Sequence, residues 1–82
     1  MSEDPDQPPF RLKEFEGELL WRSLDHGFPQ TPEVRAACKY IAGILSGRRI
    51  PQKVIAEEFG CTQRGVREWY KKIAATEDII II

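Results

Sequence analysis

The segment from Gln52 to Trp69 limits the fold of this chain more than any other. With Gln52 as the first position, Ala56 stands fifth and Gly60 ninth, and the apolar residues Ile55, Phe59, Val66 and Trp69 stand fourth, eighth, fifteenth and eighteenth. This is the spacing of a helix-turn-helix, and each position has a steric reason. A small residue at the fifth position lets the second helix cross the first at close range. A glycine at the ninth adopts the left-handed conformation that a tight turn needs. The four apolar positions knit the pair to a supporting helix. The first helix is expected from about Pro51 to Phe59, and the second is capped by Thr62, with Val66, Trp69, Tyr70 and Ile73 as its apolar stripe.

Upstream, Thr31 reads as an N-cap, Pro32 as the first helical residue, and Glu33 complements the positive end of the helix dipole. Val34, Ala37, Cys38, Ile41, Ile44 and Leu45 form the buried stripe of this helix, and Ser46-Gly47 ends it. Ala36, Ala37, Ala42 and Gly43 are small enough for a neighbour to approach closely. From Phe10 to Leu24, Leu12, Phe15, Leu19, Leu20 and Leu24 predict a further amphipathic helix, weakened by Gly17 and stopping near His26-Gly27. Trp21 is read as a core residue of it, and His26 as an ordinary residue of the helix end. The expected fold is all-α: a small three- to four-helix bundle containing a helix-turn-helix, with the N-terminal helix covering its open side.

The domain organisation follows from composition. Residues 1–9 are acidic, hold three of the six prolines and read as a flexible tail. Residues 10–76 form a single helical domain, with the helix-turn-helix at 51–74. Residues 77–82 form a hydrophobic tail ending in Ile79-Ile80-Ile81-Ile82, which reads as an edge strand, a dimer contact or a plug on the core. At 82 residues there is room for one domain with a limited core. No apolar run approaches the roughly 20 residues of a membrane span, and no secretory signal is present, so the expected location is cytoplasmic and nucleoid-associated.

Charge is unevenly divided. In residues 1–33, Arg11, Lys13 and Arg22 face eight acidic residues, a balance of -5. In residues 34–72, nine Lys and Arg face Glu57, Glu58 and Glu68, a balance of +6. A basic half on a chain of net charge -1 is either a footprint for a polyanion or one of two opposed surfaces that attract each other.

With Val66, Trp69 and Ile73 turned inward, Gln63, Arg64, Arg67, Glu68 and Lys71 lie outward or at the edges of the last helix. Arg64, Arg67 and Lys71 recur at three- and four-residue steps and line one ridge. Arginine is shaped for bidentate hydrogen bonds to guanine in the major groove, and glutamine for the same with adenine. Arg48, Arg49, Lys53 and Lys72 flank the ridge and suit phosphate contacts, which position a protein without reading sequence. The candidate DNA-binding residues are Arg48, Arg49, Gln52, Lys53, Thr62, Gln63, Arg64, Arg67 and Lys71. Glu57 and Glu68 would repel phosphate and are expected to point away.

Other chemistry finds no support. Cys38 and Cys61 read as buried or half-buried thiols and not as a disulfide or metal pair. A single histidine and no clustered carboxylates leave no acid–base pair and no nucleophile with its base. The expectation is a protein that is not an enzyme, with no cofactor, no metal, no small-molecule substrate and no membrane partner. The expected partner is double-stranded DNA through its major groove, together with a homodimer mate or a transcription protein, because one small domain offers little contact area.

The motifs Tyr40-Ile41-Ala42, Gln52-Lys53-Val54-Ile55-Ala56, Gly60-Cys61-Thr62 and Val66-Arg67-Glu68-Trp69-Tyr70 resemble the closing three helices of the second cyclin-like repeat of the archaeal transcription factor B and eukaryotic TFIIB family. The resemblance implies a helix-turn-helix that reads the promoter element beside the TATA box, with Arg64 and Arg67 at the reading positions. Arg64 stands where that family usually has a small apolar residue, and Gly65 where it usually has Thr. No Cys-x-x-Cys pair exists for a zinc ribbon. The expected function is therefore a stand-alone, sequence-specific DNA-binding regulator. The alternative is an interaction module of the transcription machinery that uses the same fold without touching DNA.

Overall fold

The computed structural model describes residues 12–79. Four helices follow one another: α1 (Leu12–Asp25), α2 (Pro32–Leu45), α3 (Gln52–Phe59) and α4 (Gln63–Thr76). Among the described residues there is no strand, so the fold is a small all-α bundle. The expectations for residues 1–9, for Phe10 as the helix start and for Ile80–Ile82 lie outside the described residues.

The helix limits have local causes. At α2, Thr31 Oγ1 accepts a hydrogen bond from the Val34 N–H, and Pro32 follows where its missing N–H costs nothing. At the end of α1, Gly27 has φ +81°, and the Phe28 N–H reaches back to the Ser23 carbonyl at 2.9 Å. Phe28 then meets the edge of the Trp69 ring, with centroids 5.5 Å apart, so the α1–α2 loop closes over α4.

Helix α2 is the centre of the bundle and contacts the other three helices. Its two sides feed two apolar clusters. Val34, Ala37, Cys38, Ile41 and Ala42 join Leu19 of α1 and Ile73 and Ala74 of α4. Ala36 joins Ile55 and Ala56 of α3 and Val66 of α4. Ile41, Ile55 and Ile73 are fully buried, and each contributes roughly 1.5–3 kcal/mol through hydrophobic burial. The buried Ser23 hydroxyl donates to the Leu19 carbonyl at 2.8 Å, so it is satisfied within its own helix. Tyr40 and Tyr70 pack edge to face, with centroids 4.9 Å apart, which holds α2 to α4.

Two expectations for the core are corrected. Trp21 is 73% exposed and Leu24 is 51% exposed. The inward line of α1 passes through Leu19 to Ser23, four residues on. Trp21, two residues after Leu19, is turned about 200° round the helix from it. Leu24 is turned about 140° from Leu19, on the far side of Ser23. On α3, Val54 is half exposed, since it lies about 100° from the fully buried Ile55. At the C-terminus, Ile79 is half-buried against the first cluster, and its N–H donates to the Ala74 carbonyl at 2.8 Å. Of the three readings of the tail, its first isoleucine follows the core plug. Just after α1, His26 Nε2 lies 3.3 Å from Glu77 Oε1, and Arg22 Nη1 reaches the other Glu77 oxygen at 3.3 Å.

Candidate nucleic-acid interface

The geometry of the site begins at the turn between α3 and α4. Gly60 takes the left-handed conformation, φ +69° and ψ +32°. The Gly60 N–H then reaches the Glu57 carbonyl at 3.3 Å, and the Cys61 N–H reaches the Ala56 carbonyl at 3.0 Å. These bonds satisfy the last carbonyls of α3 and redirect the chain at once. Thr62 restarts it as N-cap of α4, with Oγ1 accepting from the Gly65 N–H at 3.1 Å.

The crossing is close because small residues fill it. Ala56 is almost fully buried and shares its cluster with Val66 and Ala36. Gly65 sits where α4 passes the start of α2, and a Cβ there would come within 2.8 Å of Glu33 Cγ. A side chain as large as Thr at 65 would require Glu33 to move. Lys39 of α2 ties down the far side of α3 through both Glu58 carboxylate oxygens.

With its apolar side fixed by Val66, Ile73 and Ala74, α4 turns the opposite side to solvent. Gln63, Arg64, Arg67, Glu68 and Lys71 line one shallow, open groove. Arg64 is the most exposed of the ion-paired residues there, at 87%. The structure thus brings together four of the nine candidate residues, Gln63, Arg64, Arg67 and Lys71. Thr62 adjoins them, with its oxygen engaged as the cap. Arg48, Arg49 and Lys53 are exposed on the α2–α3 connection and the first turn of α3, outside the groove, and Gln52 is half-buried there. Lys72 lies off the ridge, with Nζ 4.8 Å from the Trp69 ring centroid.

Glu68 contradicts its expectation. It does not turn away from the basic ridge but lies within it, and its Oε1 receives a hydrogen bond from Arg64 Nε at 3.3 Å. The reason is helical register: residue 68 follows residue 64 by four positions and must share its face. That spacing was readable in the sequence, and it outweighs any expectation based on the carboxylate's charge.

Other reactive groups are sparse. Cys38 is buried, and desolvation pushes its thiol up to about 11, so it stays protonated and inert at neutral pH. Cys61 is half-buried at the turn, and desolvation raises its thiol as well. Among the described residues, no group of three His, Cys, Asp or Glu side chains could hold a metal ion. No helix among them is long and apolar enough to cross a membrane.

Fold and site together define a small helical domain that carries a tightly bent helix pair and turns a charged helix face to solvent. By sequence, the chain is similar to proteins named Transcription initiation factor IIB. It is 45% identical over 49 residues to those of Methanoregula boonei and Methanosphaerula palustris, covering 60% of this chain and 15% of each relative. The same identity and span relate it to the protein of that name from Methanoculleus marisnigri, of which 14% is covered. The chain thus contains a segment similar to these archaeal proteins, and the match spans about one seventh of their length. No protein-family model matches the chain.

Proposed function

We propose that this chain is a sequence-specific, double-stranded DNA-binding regulator of transcription, in which α3 and α4 act as a helix-turn-helix and α4 enters the major groove. The observation that carries the reading is the outward face of α4. Gln63, Arg64 and Arg67 project from its first turns, beside a turn set by Gly60, in a chain that is 45% identical over 49 residues to a protein named Transcription initiation factor IIB. Hydrogen bonds from these side chains to base edges supply specificity. Arg48, Arg49 and Lys53 are exposed and suit phosphate contacts, which set register and orientation. If each of these three neutralises one phosphate, they account for a slope of about -2.7 in log affinity against log salt. In this reading the chain is a binding module without catalytic chemistry, and a second copy or a transcription protein supplies further contact area.

Fluorescence anisotropy with a duplex selected from a random library tests the reading. Arg67→Ala should flatten the difference between the selected duplex and scrambled duplexes. Lys53→Ala should weaken binding to both alike and reduce the salt slope by about 1. A protein that binds no duplex at low salt, or whose affinity neither change alters, would contradict the reading.

A second reading is favoured by α1. Trp21 and Leu24 are exposed on a helix that also carries Glu14, Glu18 and Asp25. A large exposed apolar side chain with an acidic surround suits a protein contact. In that reading the chain docks on a transcription protein without touching DNA, and the α4 face stays solvated in its presence.

A further inference from the structure

We infer that Glu68 is a base-reading residue that selects a cytosine amine in the major groove, in the base pair next to the one whose guanine Arg64 reads. This inference rests on the duplex-binding reading above and deepens it by naming the class of sequence the site takes. Glu68 and Arg64 share one face of α4 and line one groove with Gln63, Arg67 and Lys71. Both are exposed, and neither is held by the core. Gln63 and Arg64 open the helix, and Glu68 lies one turn beyond Arg64, so all three belong to the part of a recognition helix that reaches base edges.

The way the pair is joined matters. Arg64 donates through Nε to Glu68 Oε1, which turns that edge of the guanidinium toward Glu68 and leaves its two terminal nitrogens for guanine O6 and N7. The second Glu68 oxygen remains to accept a hydrogen bond from outside. A carboxylate can only accept, and the major-groove donors are the amines of cytosine and adenine. Adenine places its acceptor N7 beside the amine, which repels a carboxylate, whereas cytosine places a C–H beside its amine. An acidic side chain on an otherwise basic ridge lowers affinity for phosphate. Contact with a base edge gives it a favourable partner that the backbone cannot offer.

The test is selection from a random-core duplex library by the full chain and by Glu68→Ala and Glu68→Gln. Circular dichroism confirms that each variant keeps its helices. The wild type should enrich a site with a G·C pair in which replacing one C by T lowers affinity at least about fivefold, the low end of one good base contact. Glu68→Ala should lose that preference at this one position and keep the others, and Glu68→Gln should shift it toward adenine. A variant that binds every sequence more tightly by one common factor would show that Glu68 only repels phosphate, and would overturn the inference while leaving duplex binding intact. No enrichment by the wild type would remove duplex reading itself, and the role of Glu68 with it.

Discussion

Two Gly→Ala substitutions should move the stability of this domain in opposite directions, because the two glycines solve different problems. Gly60 is left-handed, with φ +69° and ψ +32°, and a Cβ built there meets nothing within 4 Å. The cost of Gly60→Ala is therefore conformational and not steric. Placing an L-residue in the left-handed region costs about 1–2 kcal/mol. Reduced freedom of the unfolded chain returns roughly 0.4–1 kcal/mol of that, so a net loss of about 1 kcal/mol is expected. Gly17 lies inside α1 with no positive φ, and its Cβ position is also open. Gly17→Ala should therefore stabilise by roughly 0.5–1 kcal/mol, the helix-interior difference between the two residues. In a domain of this size, 1 kcal/mol moves the melting temperature by about 4–8 °C. Melting followed at 222 nm should place Gly60→Ala several degrees below the wild type and Gly17→Ala several degrees above it. Gly60→Asn should fall between the wild type and Gly60→Ala, since asparagine tolerates the left-handed region better. A neutral or stabilising Gly60→Ala would refute the turn that sets α4 against α3. A destabilising Gly17→Ala would refute a regular, open α1 at that residue.

Three further outcomes are expected. Val66→Ala removes two methyl groups from a fully buried site between α2, α3 and α4, and should cost about 2 kcal/mol in urea denaturation while lowering duplex affinity through a loosened α4. A thiol reagent at pH 8 should modify Cys61 before Cys38, whose burial and raised pKa of about 11 delay reaction until the protein opens; equal rates would contradict the burial of Cys38. Desolvation raises the Glu16 carboxyl pKa, opposed by Lys39, so its contribution to stability is present below the unfolded carboxyl range and is lost as pH rises through the folded value. Glu16→Gln should therefore stabilise the fold at neutral pH and have little effect near pH 3, as read from paired denaturation curves.

Much of the fold was legible because it is written in local chemistry. Thr31-Pro32, Gly60 and Thr62 each solve a backbone problem that depends on adjacent residues alone, and the structure uses each as expected. The Val66-Ile73 stripe was legible because α4 is strongly two-sided. Trp21 and Leu24 were not, since apolarity marks a residue as able to be buried and does not say how wide the contacting face is. Helix α1 packs on α2 through the line of Leu19 and Ser23, and a serine gave no sign that it would take the inward place. At the site, register placed Gln63, Arg64, Arg67 and Lys71 together. Glu68 shares their face although its charge disfavours it, because on a rigid helix register decides.

The central claim, that the free face of α4 meets a duplex, is tested most directly by titrating the 15N-labelled chain with a selected duplex and following its amide resonances. The account predicts that shifts concentrate from Gln63 to Lys71 and fade as salt is raised, while α1 stays still. Shifts confined to the surroundings of Trp21 and Leu24, or an α4 unmoved at saturating DNA, would contradict it.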